Sequence, residues 1–406
     1  MHIGGFLTSY GPGISNEVAL MLCSAPLLRD VRLNASFHPT FYETLAREER
    51  KATVHTLQIE NYEPLSSASS HHLVEALCFL PNLTNLILRR VCDKEEFCSH
   101  LNEKASTLKV HTLQIENYKP LSSASSHHLA EALCSLPNLT NLTLSGMYYQ
   151  EELYSQLKEK ASTLKVHTLD IGNNKPLSSA SSHHLHVVEA LCSLHNLTDL
   201  ILSGDFDEEE FCSHLNKKAS TLKVHTLEIR NYKSLSSASS HHLVEALCSL
   251  PNLTNLILSG VCEEEEFCSQ LNEKASTLKV HTLQIWNNKS LSSASSHHLA
   301  EALCSLPNLT NLILIGVCDK EEFCSHLNEK ASTLKVHTLQ IGNNKPLSSA
   351  SLHHLVEALC FLPNLTNLIL RRVCDQEFCS HLNEKASTLK VYPPLLYTHT
   401  MLENME

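Results

Sequence analysis

The sequence predicts an α/β solenoid, in which short parallel strands and helices alternate along a tandem repeat. Three observations lead to this prediction. One motif recurs six times at nearly constant spacing, apolar residues within it follow the period of a strand, and a second apolar set follows the period of a helix. Such a unit cannot bury its apolar face alone, so consecutive units are expected to stack, with strands on the concave side and helices on the convex side.

The repeat is marked by the motif Val-His-Thr-Leu or a close variant. Copies begin at Val54, Val110, Val166, Val224, Val280 and Val336, and a decayed copy begins at Val391. Successive copies are therefore about 56 residues apart, with an insertion around His186 and Val187 and a shortened segment "CDQEFC" near the end. Both irregularities fall outside the predicted strands.

Each unit contains two strands, because "LTNLIL" at Leu83 repeats the spacing of "VHTLQI" at Val54, with apolar residues at positions one, four and six. This is the LxxLxLxxN pattern of leucine-rich repeats. In "VHTLDIGNN", Val166, Leu169, Ile171 and Asn174 are predicted to fill the four inward positions. Positions three, five and seven are expected to face the concave side.

A helix is predicted after each strand. The spacing i, i+3, i+4, i+7 after the first strand is met by Leu73, Ala76, Leu77 and Leu80. After the second strand, Phe97, Leu101 and Ala105 predict a second buried stripe.

The second helix is expected to begin with a capping box, in which an aspartate precedes a glutamate by three residues. The pairs are Asp93 with Glu96, Asp207 with Glu210 and Asp319 with Glu322.

The pattern divides the chain into three parts. Residues 1–53 are predicted to be degenerate N-terminal repeats, since "APLLRDVRL" places Leu28, Val31 and Leu33 on strand positions. Residues 54–391 form six tandem double units, and residues 392–406 form a divergent tail without a polar cap. About thirteen repeats are expected in all.

Over residues 14–391 the chain resembles the ribonuclease-inhibitor-like class of leucine-rich repeats, whose long strand–helix units alternate between two types. The segment "GPGISNEVALMLCSAPLLRDVRLNASFHPTFYETLA" is similar to the start of the repeat region in NACHT-type nucleotide-binding receptors of marine invertebrates. The resemblance implies a cytoplasmic innate immune sensor whose repeats sense ligand or hold the receptor inactive. The sequence contains no GxxxxGK[ST] motif, so the NTPase of such a receptor is not in this sequence.

Two other functions stay open at this point. One is a free-standing inhibitor or scaffold of the ribonuclease-inhibitor type. The other is an extracellular recognition receptor, for which the recurring tripeptide Asn-Leu-Thr would supply glycan acceptors. The Leu of that tripeptide is the first strand position, however, so the repeat alone accounts for it.

Composition excludes several functions. The net charge of -12 and the lack of a basic stripe predict no nucleic-acid binding. No apolar run approaches the roughly 18 residues that span a bilayer, and none of the first 25 residues is Lys or Arg, so we expect no membrane segment or secretory signal. Sixteen Cys that recur singly are expected to be reduced in a cytoplasmic protein. With only 10 Gly and no catalytic set, no enzyme is predicted.

No metal or cofactor is predicted either. The recurring His-His pairs lie at least two strand spacings of about 4.8 Å apart, which zinc–nitrogen bonds of about 2.1 Å cannot bridge. Cys92, Cys98 and His100 have the spacing of a metal knuckle, but other units carry Phe206, Tyr154 and Gln270 at those positions.

The predicted binding site lies on the concave face, where a protein or other macromolecular ligand would bind. Position seven of the first strand varies while its neighbours do not, and its residues are Glu60, Glu116, Gly172, Arg230, Trp286 and Gly342. Trp286 is the only Trp, and the adjacent strands place Ile257 on one side and Ile313 with Ile315 on the other. Arg230 is predicted to form the polar edge of this site. The alternative is that exposed positions vary freely.

Overall fold

The computed structural model describes residues 2–25, 27–47, 53–61, 65–117, 119–147, 150–172, 182–204, 209–231, 233–343, 347–373 and 385. The chain divides into two compact units, Met1–Ser203 and Gly204–Glu406. The predicted tail, residues 392–406, lies outside the described residues, as do Phe206, Asp207 and Asn174.

Strands and helices alternate along the described part of the chain. The strands are β1 (His2–Tyr10), β2 (Asp30–Phe37), β3 (Thr56–Glu60), β4 (Asn85–Arg89), β5 (Thr112–Glu116), β6 (Asn141–Ser145), β7 (Thr168–Gly172), β8 (Asp199–Gly204), β9 (Thr226–Asn231), β10 (Asn255–Ser259), β11 (Thr282–Trp286), β12 (Asn311–Ile315), β13 (Thr338–Gly342) and β14 (Asn367–Arg371). The helices are α1 (Pro12–Ser24), α2 (Pro39–Arg47), α3 (Ser67–Phe79), α4 (Glu95–Lys104), α5 (Ser123–Ser135), α6 (Glu151–Glu159), α7 (Ser182–Ser193), α8 (Glu209–Lys218), α9 (Ser237–Ser249), α10 (Glu265–Lys274), α11 (Ser293–Ser305), α12 (Glu321–Lys330) and α13 (Ser349–Phe361).

Within each unit every strand pairs in parallel with the next strand along the chain, from β1 to β8 in the first unit and from β9 to β14 in the second. From β3 onward the register sets each repeat position beside the same position of the neighbouring strand, as in the pair Leu256 and Leu283. This is the fold of an α/β leucine-rich-repeat solenoid, and the predicted fold class is confirmed.

The core lies between the strands and the helices of each unit. In and just before β5, the apolar residues of positions one, four and six are at most 1 % exposed, namely Val110, Leu113 and Ile115. The predicted helix stripes are buried as well, including Leu73, Leu77, Phe97 and Leu101. Apolar burial at these repeated positions is what holds each repeat to the next one within a unit.

The serines of the repeated "SSASS" motif begin the first helix of each unit. The Ser66 hydroxyl accepts a hydrogen bond from the backbone N–H of Ser69 at 3.1 Å, and Ser122, Ser236, Ser292 and Ser348 cap their helices in the same way. The predicted capping boxes are wrong for α4 and α12, because those helices begin two residues after Asp93 and Asp319 and have no side-chain cap at their N-caps, Lys94 and Lys320.

The inward Asn is at position eight of the first strand, not position nine as predicted from Asn174. Asn61, Asn117, Asn287 and Asn343 are at most 3 % exposed, whereas Asn288 at position nine is exposed. The Asn287 N–H donates to the Ile315 carbonyl at 2.9 Å, so this residue continues the ladder beyond the strand.

Position eight of the second strand adopts a left-handed backbone conformation, which favours glycine. Gly260 has a φ of +72°, and a Cβ there would lie 2.3 Å from the carbonyl oxygen of Asn231. We expect Gly260→Ala to reduce the free energy of unfolding by about 1 to 2 kcal/mol, measured by urea denaturation. In Gly13→Ala, the control, the added Cβ meets no atom within 4 Å, and no loss is expected. Equal stability of Gly260→Ala and the wild type would contradict this role.

Because each double repeat contacts its neighbours through equivalent surfaces, one whole double repeat should be removable. Val224 and Val280 are both fully buried at the same repeat position. Deletion of residues 224–279 is expected to leave a folded, shorter solenoid with a cooperative melting transition and an unchanged shape of the circular dichroism spectrum. Global unfolding of the deletion would show that the period or the coupling between units is misjudged.

No disulfide joins the 14 cysteines of the described segments. Burial raises the pKa of the Cys78 thiol on the flank of α3, and a hydrogen bond from Thr107 opposes this only in part. The pKa of Cys262 is raised further, first by its hydrogen bond with Cys268 and then by complete burial.

Both effects keep the thiolate fraction low at neutral pH, so we expect slow reaction with iodoacetamide. Mass spectrometry of unreduced protein should find free thiols, with Cys262 and Cys268 modified only after unfolding. A set of native disulfides would contradict this prediction.

Candidate binding surface

In most strands from β4 onward, alternate side chains are buried and the others are accessible. In β10 and β12 positions four and six are buried, while positions three, five and seven are half-buried. In β11 the same alternation ends with an exposed residue at position seven, Trp286. The predicted direction of positions three, five and seven is therefore confirmed for these strands.

The register of the second unit aligns position seven of its strands in one row. Along this row Arg230 pairs with Ser259, Ser259 with Trp286, and Trp286 with Ile315. Ile315 in turn pairs with Gly342, and Gly342 with Arg371. We refer to Arg230, Ser259, Trp286, Ile315, Gly342 and Arg371 as the position-seven row.

Trp286 and Ile315 are direct neighbours in this row, and the backbone fixes both. The Gly260 N–H donates to the Trp286 carbonyl at 2.9 Å, and the Asn287 N–H donates to the Ile315 carbonyl at the same distance. Trp286 is 48 % exposed, and among the strand residues whose side chains are described it is the one exposed large hydrophobic residue. A rigid backbone thus presents an indole ring to solvent.

The apolar surface continues from Ile315 over Gly342. A Cβ built on Gly342 would lie only 2.7 Å from Cδ1 of Ile315, so the isoleucine side chain covers the space that a larger residue would fill. Arg371 follows at the exposed end of β14. The sequence prediction did not include Gly342 and Arg371 in the site, although the strand alignment places them in the same row.

The other two predicted isoleucines lie in the row of position five. Ile257 and Ile313 are the two partners of Gln284, and both are half-buried. They are diagonal neighbours of Trp286, at about 7 to 8 Å. The structure therefore brings Ile257, Trp286, Ile313 and Ile315 onto one face of three adjacent strands, and their part in binding stays a prediction.

Arg230 lies at one end of the row, on β9. Its Nε donates to the Glu228 carboxylate of the same strand at 2.6 Å, and its side chain is 40 % exposed. Trp286 is separated from Arg230 by the small side chain of Ser259. This arrangement fits the predicted polar edge, with the guanidinium already held by one carboxylate.

The first unit has a different surface at position seven of its own strands. Arg89 of β4 lies between Glu60 of β3 and Glu116 of β5, with its Nε 3.0 Å from the Glu116 carboxylate. Ser145, Gly172 and Ser203 occupy position seven of β6, β7 and β8. Charged groups here pair with one another, whereas the second unit exposes an aromatic and an aliphatic side chain at equivalent positions.

The candidate metal knuckle does not assemble. Cys92 and Cys98 are fully buried, with the Cys98 thiol donating to the Cys92 carbonyl at 3.6 Å. His100 instead contacts His71 on the helix side, with ring centroids 4.8 Å apart. The two cysteines are core residues, and His100 belongs to another cluster.

No protein-family model and no curated protein matches this chain. Among solved structures, the crystal structure of a TLR13–ssRNA13 complex is similar at 16 % sequence identity and a TM-score of 0.40, over 89 % of this chain and 57 % of that chain. This chain therefore spans little more than half of that one. The likeness assigns no ligand to this chain.

The prediction that the chain binds no nucleic acid is wrong as an exclusion. It was drawn from the net charge of -12 and the missing basic stripe, but the similar solved structure is a complex with single-stranded RNA. Net charge describes the average surface, whereas a ligand contacts a local one.

No described helix combines the length and the apolar character that crossing a bilayer requires.

The leucine-rich-repeat fold is typical of binding scaffolds without catalytic activity.

Proposed function

We propose that the strand face of the second unit binds a protein, with Trp286 and Ile315 as the apolar anchor and Arg230 and Arg371 as its charged ends. The observation that carries this proposal is the exposed indole of Trp286, held on a strand beside an aliphatic neighbour. Exposed aromatic side chains next to aliphatic ones and Arg have the composition of interface hot spots. The diagonal neighbours Ile257 and Ile313 would extend the contact.

At the level of the whole protein, the proposed role is ligand sensing or autoinhibition in an intracellular innate immune receptor. The resemblance of residues 14–391 to the repeat regions of such receptors supports this role. A chain whose described cysteines form no disulfide fits the proposed reducing, cytoplasmic location. A transcript with an in-frame GxxxxGK[ST] segment upstream would agree with the proposed role, and a verified start codon without one would contradict it.

The single Trp makes the binding surface directly observable. Peptides selected from a random display library on the full chain would be titrated while Trp286 fluorescence and its quenching by acrylamide are recorded. Peptides that bind the proposed surface should shift the emission to shorter wavelength and reduce quenching, because the indole leaves water. Selected peptides that bind tightly but leave Trp286 fully quenchable would place the protein-binding surface elsewhere.

The same fluorescence assay separates protein from nucleic acid. A single-stranded RNA oligonucleotide would be titrated at several salt concentrations, because phosphate contacts make affinity fall steeply with salt. Protection of Trp286 by peptides but not by the oligonucleotide supports a protein ligand. Protection by the oligonucleotide alone would overturn the proposed ligand class, since bases also stack on aromatic side chains.

A further inference from the structure

A cluster of metal-ligating side chains lies on the helix side of the first unit. On α3, Nε2 of His71 is 3.3 Å from the Glu75 carboxylate, and Nδ1 of His72 is 3.5 Å from its other oxygen. Ligand atoms of these three residues all lie within 4.8 Å of one another. The ring of His100, on α4, approaches the His71 ring with centroids 4.8 Å apart. Two adjacent helices thus contribute to one cluster.

The chemistry of this cluster suits a divalent transition-metal ion. Imidazole nitrogen and carboxylate oxygen are zinc ligands at about 2.0 to 2.2 Å, and a tetrahedral ion brings two ligand atoms to about 3.4 Å from each other. The separation of His71 from Glu75 is already close to that value. His71, Glu75 and His100 are partly exposed, so their side chains are able to rotate, and such rotation would bring a His100 nitrogen to the ion.

His100 has a second carboxylate nearby. Its Nδ1 lies 3.6 Å from the Glu103 carboxylate one turn further along α4. Carboxylate–histidine pairs commonly fix metal-binding histidines, with the carboxylate on one ring nitrogen and the metal on the other. In the proposed site Glu103 would take Nδ1 of His100 and leave Nε2 for the ion.

The second unit contains a copy of this arrangement. His297 of α11 lies 3.6 Å from the Glu301 carboxylate, and its ring centroid is 4.6 Å from that of His326 on α12. Nδ1 of His326 lies 3.6 Å from Glu329. The same four roles therefore recur at equivalent positions.

The chain also contains a natural variant of the cluster. On α10, Gln270 occupies the position of His100, and its Oε1 lies 3.1 Å from Nδ1 of His241 on α9. A direct hydrogen bond joins the helices there. Because glutamine is a poor zinc ligand, this double repeat has the first two ligands, His241 and Glu245, but lacks the third.

We propose that His71, Glu75 and His100 bind Zn²⁺ or a similar divalent transition-metal ion, and that His297, Glu301 and His326 form a second site of the same kind. His72 is positioned as a further donor in the first site, and water would complete the coordination. The ion would join α3 to α4 and α11 to α12, and it would thereby stabilise the packing of successive helices.

The His pairs themselves are a whole double repeat apart, so two pairs cannot share a zinc ion. The ligands that complete each proposed site come instead from the helix between two pairs, which contributes His100 or His326. Glu75, one turn after His71, faces the same direction at spacing i, i+4.

The test uses untagged, metal-free protein titrated with ZnCl₂ in a calorimeter. His100→Gln and His326→Gln introduce the residue that α10 carries naturally, so both variants should fold. We expect each substitution to remove one equivalent of tightly bound Zn²⁺, or to weaken that equivalent at least tenfold. Zn²⁺ should raise the melting temperature of the wild type more than that of the double variant, and chelation should reverse the effect.

A gain of binding provides the converse test. Gln270→His completes the set with His241 and Glu245, and it should add one equivalent of bound Zn²⁺. Cysteines that bind metal would contribute equally to all these proteins, so the differences report the histidine sites alone. If His100→Gln and His326→Gln retain the wild-type stoichiometry and affinity, or Gln270→His adds none, the third ligand is wrong and the proposal fails.

Discussion

Trp286→Ala is expected to weaken the binding of selected peptides by about 2 kcal/mol or more, which is about a thirtyfold loss of affinity. The indole is the largest exposed apolar group on the described strands, and its removal leaves a flat surface beside Ile315. Titration of peptides labelled with a fluorophore would measure the affinities, since the variant lacks its only Trp.

The same substitution should change stability little. Trp286 is 48 % exposed, and equivalent strands carry Glu60, Glu116 or Gly342 at this position without altering the register. Surface substitutions of this kind usually change the free energy of unfolding by less than about 0.5 kcal/mol. Loss of affinity together with an early melting transition would identify Trp286 as a packing residue and contradict the proposed site.

Two control variants follow from the repeat itself. Trp286→Glu introduces the residue of Glu60 and Glu116, so it should fold normally and still lose peptide binding. Ser145→Ala changes position seven of β6 in the first unit and should bind peptides like the wild type. If Ser145→Ala and Trp286→Ala weaken binding equally, the contact surface is not confined to the second unit.

Much of the fold could be predicted because apolar burial leaves a periodic trace in the sequence. Leu113 and Ile115 are buried because their strand positions face the helices, and Leu73 and Leu77 because their helix positions face the strands. Both periods are direct consequences of backbone geometry. Six copies of one motif made these periods unmistakable.

Polar details could not be predicted in the same way. The inward Asn at position eight and the misplaced capping box of Asp93 both depend on one or two residues of local backbone, where sequence patterns are ambiguous. Helix ends in particular shift by a residue or two without changing the apolar pattern. The N-cap at Ser66 lies within the repeated motif "SSASS". Because several neighbouring serines could cap the helix equally well, the motif alone does not indicate which serine does so.

The binding surface required the register between strands. The sequence identified Trp286 and Ile315 from their variation, but only strand pairing shows that they are direct neighbours. The contact of His71 with His100 likewise depends on how α3 packs against α4. Contacts between elements arise from tertiary packing, which a single sequence encodes only indirectly.

Phe267→Ala is expected to have the largest effect on stability, a loss of about 3 to 5 kcal/mol. Phe267 lies in α10 and is completely buried, as are Phe97 and Phe323 at equivalent positions. Removing the ring loses its burial and leaves a cavity that the packed helices cannot fill. Urea denaturation would measure the loss.

The chain offers a matched control at this position. In α6 the equivalent residue is Leu153, which is also completely buried. Phe267→Leu keeps an apolar side chain of branched shape and should cost less than about 1.5 kcal/mol. Similar losses for the Ala and Leu variants would show that aromatic geometry, and not volume, determines stability here.

Because each repeat contacts mainly its neighbours, the damage from Phe267→Ala should be local. Hydrogen exchange followed by mass spectrometry should show faster exchange in α10 and in α9 and α11, which both pack against α10, with little change in α3, α4 and α5. Peptide binding at Trp286 should weaken as well, since β11 lies between β10 and β12 and follows α10 directly in the chain. Uniform acceleration of exchange over all helices would mean that the repeats unfold as one cooperative unit, and the deletion of residues 224–279 would then be expected to unfold the chain.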